Sequence, residues 1–354
     1  MIVGNQTLGS TLKLDGMTVL PRGGASYLDD VLEDYYQYYE RDLLITLFDV
    51  WVLDYIRGTS MRWVPLVPID ADLFPECERI LKPLSSAYSI LAFSRYGFEQ
   101  LKQYFANVDL IFHGVDTNIY RPLEEKARFK KQLELPEDCF LFGNVATNIG
   151  DRKDFPRLLR IFSKFLKSVD SDNVYLYLHT DVHSSPGVAY DIELLARRYG
   201  VLERLRVPRL SPGLMPYTEA QMAKLYNAFD CFISATRGEG FGVPFLEAMA
   251  CGVPCIAPDH SSLRELLEDD AGILVKTQTS VVPLTVPTLQ EYKLVDEQEF
   301  LLAMIKMYQC PELRNYHSEK SVEKARNMTG LGSWRTGKFI FPGFKRKFQI
   351  LKSL

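Results

Sequence analysis

Short apolar runs separated by longer amphipathic stretches set the rhythm of this chain. A brief apolar run suits a strand buried on both faces, whereas apolar positions recurring every three or four residues mark a helix with one packed side. Strands are therefore predicted over 17–20, 43–47, 64–69, 90–93 and 108–112, with helical patterns over 27–39 and 96–105 between them. A second series places strands at 140–145, 174–178, 205–207, 231–234, 254–257 and 272–275, and helices at 156–168, 190–199, 219–227 and 244–250. Alternation of this kind predicts an α/β fold built on parallel sheets. The charged stretch 121–138, with Pro122 and Pro136, interrupts the rhythm and is the natural linker. The expected organisation is an N-terminal Rossmann-like domain over 1–122, a linker over 123–138, a second Rossmann-like domain over 139–335 and a closing segment over 336–354.

The opening does not fit this scheme. A doubly wound domain normally begins with a strand, a glycine-rich turn and a helix. Residues 1–16 are polar and short, with Gly4, Gly9 and Gly16 but no helical pattern after them. The first domain is expected either to be abbreviated or to lack its first βα unit, and the second reading is preferred.

Composition narrows the classes. The 354 residues exceed one ordinary domain, and 47% apolar with 24% charged residues is the balance of a soluble globular chain. A net charge of −4 gives no basic field for nucleic acid. Six cysteines without a CxxC pair suit reduced core positions rather than disulfides. Cys251 and Cys255 flank a Gly-Val-Pro turn with no histidine pair nearby, so no metal site is expected there. The start reads as no signal peptide, and no eighteen apolar residues run together. The expected location is the cytoplasm.

The segment 234–258, SATRGEGFGVPFLEAMACGVPCIAP, carries the chemistry. It reads as strand, glycine-rich loop, helix, stop and strand. Gly238, Gly240 and Gly242 let the backbone turn tightly and approach a ligand, and Pro244 sits where a first helical turn tolerates proline. Gly252 and Pro254 stop the helix. Its opening N–H groups form an anion site suited to a diphosphate. Glu239 lies among glycines and gains little from packing. Glu247 lies between Leu246 and Ala248, where an unpaired charge is unfavourable and ligand hydroxyls would satisfy it.

The pair Glu239 and Glu247 inside EGFGxxxxEAMAxGxP resembles the retaining GT-B glycosyltransferases, specifically glycosyltransferase family four. LYLHT at 176–180, LYNAFDCFISA at 225–235 and Glu265 followed by DDAGILV extend the resemblance through the second domain. It implies two Rossmann-like domains facing a cleft, and a retaining hexosyl-type transferase of the EC 2.4 class. The donor is a nucleoside diphosphate sugar, with no cofactor and no metal, and the acceptor is a glycan, lipid or small molecule. By the same resemblance Glu247 holds the nucleotide ribose and Glu239 meets donor-sugar hydroxyls. The backbone at Gly240, Phe241 and Gly242 meets sugar and phosphate. The family's arginine and lysine on the diphosphate correspond to Arg152 and Lys153 in GNVATNIGDRKDFPRLL, although the arginine's usual place holds Asn144 here. FHGVDTNIYRP at 112–122 resembles the linker-proximal NGVD turn, with His113 in place of asparagine. Where many members carry a histidine on the donor sugar, WVPLVPIDADLFP offers Asp70 and Asp72, of which Asp70 is the candidate catalytic residue. The basic and aromatic tail, WRTGKFIFPGFKRKFQILKSL, is expected to return to the first domain as a helix, with peripheral contact to anionic membrane as the alternative. A nucleotide-sugar epimerase on the same fold, or a non-catalytic sugar-nucleotide binder, are the competing functions.

Overall fold

The computed structural model describes residues 2–3, 10–14, 17–182, 188–213, 215–283 and 287–328. The chain forms two units: one takes it up to Pro68 and over Phe74–Phe112, and the other takes Ile69–Leu73 and continues from His113. The expected closing segment, 336–354, lies outside the described residues.

In the first unit β1 (Ile2–Val3) runs parallel to β3 (Met17–Leu20), which pairs antiparallel with β2 (Leu12–Leu14). Residues before 16 thus supply two strands, of two and three residues, too short to show a period. Helix α1 (Leu32–Tyr38) precedes a parallel sheet of β4 (Leu44–Leu47), β5 (Trp63–Val67), β6 (Ile90–Ala92) and β7 (Val108–Leu110), in that order. Every residue of β5 is buried, as a two-sided strand requires, while the edge strand β4 exposes Ile45 and Leu47. Helices α2 (Glu78–Leu84) and α3 (Arg95–Lys102) complete the unit, and Ser94 caps α3 by accepting from the Gly97 amide at 3.1 Å.

The second unit begins before its sheet. Residues 123–138, expected as a linker, carry α4 (Lys126–Gln132), whose Lys130 is buried and donates to Asp230 at 2.7 Å. Asp230 also accepts from the Leu141 amide, so a buried ion pair fixes this stretch to the sheet rather than leaving it free. The sheet holds β8 (Phe140–Val145), β9 (Val174–His179), β10 (Leu205–Arg206), β11 (Cys231–Ile233), β12 (Cys255–Pro258) and β13 (Gly272–Val275), all parallel, in the order β10-β9-β8-β11-β12-β13.

Helices α5 (Phe155–Ser168), α6 (Ile192–Tyr199), α7 (Glu219–Ala228), α8 (Val243–Ala250) and α9 (Ser262–Leu267) connect these strands. In α5 the fully buried Leu158, Leu159, Phe162 and Phe165 share one face, and the two phenylalanines pack on Phe142. A hairpin of β14 (Thr277–Val281) and β15 (Tyr292–Val295) follows, then α10 (Glu297–Gln309) and α11 (Pro311–Asn327). The strand order reverses between β8 and β11, so the carboxyl ends of these two strands open the crevice where ligands of such sheets bind.

Candidate functional site

Two loops meet at that crevice. The loop 146–154 leaves β8, and its first half is fixed by Asn148, which donates to the carbonyls of Asp181 at 3.0 Å and Tyr190 at 2.7 Å. The loop after β11 runs beside it. The Arg237 amide donates to the Arg152 carbonyl at 2.8 Å, and the buried Thr236 hydroxyl lies 3.3 Å from that same oxygen. The two loops are therefore joined along the backbone before any charge is considered.

The charges then converge. Arg152 Nη1 donates to Glu239 Oε2 at 2.8 Å and to the Gly238 carbonyl at 3.0 Å, and Lys153 Nζ donates to Glu239 Oε1 at 2.6 Å. Asp70 Oδ2 stands 3.5 Å from Arg152 Nε. Glu239 is 7% exposed; its amide donates to Ser261 Oγ at 3.0 Å and its carbonyl accepts from Ser262 Oγ at 2.7 Å. Burial alone would raise the Glu239 pKa, but Lys153 and Arg152 more than reverse it and bring it to about 2. Burial and the adjacent guanidinium pull the Lys153 ammonium below its ordinary value, against the opposing pull of Glu239. Arg152 is held above its ordinary value by Asp70 and Glu239 despite its own burial. Glycine at 238 is required for this geometry, because a Cβ there would lie 2.1 Å from the Asp70 carbonyl oxygen.

Gly240, Phe241 and Gly242 lead from this cluster into α8. Gly242 caps the helix at φ +93°, and a Cβ on it would meet Leu263 at 2.8 Å, so both backbone and space favour glycine. Phe241 is buried and stacks on the His113 ring at 5.3 Å between centroids. On α8 the half-buried Glu247 accepts from Tyr226 Oη at 2.7 Å and is also hydrogen-bonded by Tyr120. Burial raises the Glu247 pKa, and the two phenols oppose that rise by bonding the charged form.

The structure thus gathers Asp70, Arg152, Lys153 and Glu239 into one cluster, and gives Glu247 a separate set of partners. Asn144 does not stand in for a cation: it is buried within β8, donates to the Ile233 carbonyl at 2.8 Å, and its Oδ1 has no partner among the described residues. His179 and His260 are buried, and burial lowers each to about 4. The residues that sequence reasoning passed over are Tyr120, Tyr226, Arg237, Ser261 and Ser262. Only Arg237 carried a signal, as the one cation inside the glycine-rich loop, with two aspartates flanking the Arg152-Lys153 pair as its candidate partners. Among the described residues no group of three or more His, Cys, Asp or Glu is arranged to hold a metal, and no helix is long and apolar enough to cross a membrane.

Both loops of this site fall within a region that matches a known family model. Residues 141–282 match the family model described as Glycosyl transferases group 1. The lipopolysaccharide core biosynthesis mannosyltransferase LpsB of Rhizobium meliloti is 29% identical over 181 residues, covering 47% of this chain and 45% of that protein. A D-inositol 3-phosphate glycosyltransferase of Segniliparus rotundus is 28% identical over 180 residues, 49% of this chain and 38% of that protein. The match therefore spans less than half the length of each relative. Among solved structures, sucrose-phosphate synthase from Thermosynechococcus elongatus superposes with a TM-score of 0.69 at 16% identity, covering 92% of this chain and 82% of that one. Anabaena HepE in complex with UDP-glucose gives 0.63 at 16% identity, covering 85% and 77%. These two likenesses establish the GT-B fold.

Proposed function

From the match of residues 141–282 to the group 1 glycosyl transferase model and the GT-B fold, we propose that this chain moves a hexosyl-type sugar from a nucleoside diphosphate donor to an acceptor hydroxyl, with retention of configuration. The observation that carries the reading is the buried Glu239 held by Arg152 and Lys153 at the carboxyl ends of β8 and β11. Arg152 and Lys153 bind the diphosphate, sharing their positive charge between it and Glu239. As the bond from C1 to the phosphate oxygen breaks, its electron pair moves to the leaving phosphate, and the two cations and the α8 N-terminus meet the growing charge. The acceptor oxygen bonds to C1 on the same face, and its proton passes to that phosphate. Glu239, ionised at neutral pH, faces the sugar, where a carboxylate helps most when the ring carries positive charge. Glu247 takes the ribose hydroxyls, and Asp70 stands beside Arg152 on the reacting side.

The test is a panel of UDP-, GDP- and ADP-linked sugars scored for nucleoside diphosphate release with candidate acceptors, beginning with UDP-glucose. Release that is unchanged by EDTA and abolished in an Arg152→Ala, Lys153→Ala double variant is the expected result. Each lost charge-assisted bond is worth about 1.5–3 kcal/mol. Nucleotide binding with no turnover would leave a binding protein, and conversion of the donor without acceptor would indicate an epimerase. No binding of any nucleotide would remove the reading altogether.

A further inference from the structure

Arg237 is the third cation of this region, and its partners differ from those of the other two. Its Nη1 donates to Asp151 Oδ2 at 2.5 Å and its Nε to Asp154 Oδ2 at 3.2 Å. Asp151 and Asp154 are the residues on either side of Arg152 and Lys153. The side chain of Arg237 therefore spans both ends of the pair, while its amide holds the Arg152 carbonyl at 2.8 Å. Its own carbonyl accepts from the Lys293 amide at 3.1 Å, which anchors it to β15. Asp154 sits in the left-handed region at φ +45° and ψ +47°, a strained conformation for a residue with a Cβ, and is 4% exposed. Two guanidinium groups hold it there, Arg237 and Arg157, the latter at 3.0 Å. A planar fork reaching two carboxylates is a task for arginine and not for lysine.

We propose that Arg237 is a positioning residue: by clamping Asp151 and Asp154 it holds the intervening Arg152 and Lys153 in register for a diphosphate, without touching the diphosphate itself. The inference rests on the donor reading above. The carboxylates of Arg237 are those flanking the 152–153 pair, Asp151 and Asp154, whereas Arg152 and Lys153 converge on Glu239, with Asp70 also beside Arg152. A mere contribution to the positive field and a positioning role predict opposite signs for the aspartates. Removing a neighbouring negative charge would strengthen anion binding through the field, but removing half of the clamp would weaken it.

The experiment has two arms on the full chain. Amide hydrogen exchange without nucleotide is followed over residues 149–155 in Arg237→Gln and in Arg237→Lys. The clamp requires faster exchange confined to that loop, larger for Gln than for Lys; unchanged exchange would overturn it whatever the protein binds. Calorimetry with UDP and with inorganic pyrophosphate then compares Asp151→Asn and Arg237→Gln with the parent chain. Both variants should bind about ten- to a hundredfold more weakly, the scale of losing one charge-assisted hydrogen bond to the anion. Tighter binding by Asp151→Asn would overturn the positioning role in favour of a field effect. Loop exchange that responds as required, in a parent chain that binds neither probe, would uphold the clamp and sink the donor reading instead.

Discussion

Glu239 and Glu247 share a motif but not an environment, and this difference separates their expected roles. Glu239 is ionised by two cations, which bring its pKa to about 2. Glu239→Gln should therefore act mainly on turnover, with a fall of order 10², about 2.7 kcal/mol, while calorimetric donor affinity holds or rises because Arg152 and Lys153 lose a competing carboxylate. Glu247 touches phenols rather than cations, and ribose hydroxyls do not change during transfer, so Glu247→Gln should weaken donor affinity more than it slows turnover. Steady-state rates and calorimetry on both variants check this; equal effects on the two quantities would merge the roles. Burial and the nearby Glu219 raise the Glu247 pKa, while Tyr226 and Tyr120 lower it by bonding the ionised form. Donor affinity should accordingly fall on acidification sooner than for an ordinary glutamate. Tyr226→Phe removes one stabiliser of the charge and should move that fall to higher pH. The carboxylates were legible because glycines surround one and apolar residues the other. The phenols were not, because nothing in LYNAFD distinguishes a tyrosine that packs from one that also orients a carboxylate.

At the scale of elements, the central strands of the second unit were readable because they are short apolar runs buried on both faces, a pattern that sequence records directly. The hairpin was not: β14 is Thr-Gln-Thr-Ser-Val, largely polar and exposed, so no apolar alternation marks it. Helix α4 was hidden by charges of which one, Lys130, is buried through its ion pair with Asp230, a tertiary contact that no local pattern announces. The end of β9 offers a test of what burial does to a strand terminus. His179 is buried with its ring 4.7 Å from that of Tyr217, and its pKa falls from 6.5 to about 4. Between these values the unfolded chain takes up a proton that the folded chain refuses, so stability is lost as pH falls from 6.5 towards 4. Replacing it, His179→Gln, should flatten part of that loss in denaturant titrations at pH 7 and pH 5. An unaltered slope would assign the acid sensitivity elsewhere, with His260, also lowered to about 4, as the next group to replace.

Across the whole molecule the chain does not divide where composition suggests. The expected boundary followed the prolines and charges near 122, but the second unit already includes His113 onward and takes in Ile69–Leu73 from the earlier chain. That short segment supplies more than Asp70. The Ala71 carbonyl accepts from the buried Gln290 amide at 3.1 Å, and Asp72 exchanges two backbone hydrogen bonds with Glu291, each at 3.2 Å. Asp72 also pairs with Lys293 at 3.1 Å. No sequence pattern connects 69–73 to 290–293, which is why the insertion was invisible. Its contribution to stability can be isolated with two polypeptides, residues 113–328 alone and the same residues joined to 69–73 through a long Gly/Ser linker. Without the segment, Gln290 loses a buried acceptor and Arg152 a carboxylate, and a stranded buried group costs about 1–3 kcal/mol. For a unit of this size roughly 2–4 °C of unfolding temperature accompanies each kcal/mol. The linked form should therefore melt several degrees higher by calorimetry, and Asp72→Pro within it, which removes the N–H given to Glu291, should reverse part of the gain. Equal melting of the two polypeptides would mean that 69–73 lies on the second unit without supporting it, and that Asp70 matters for its charge alone.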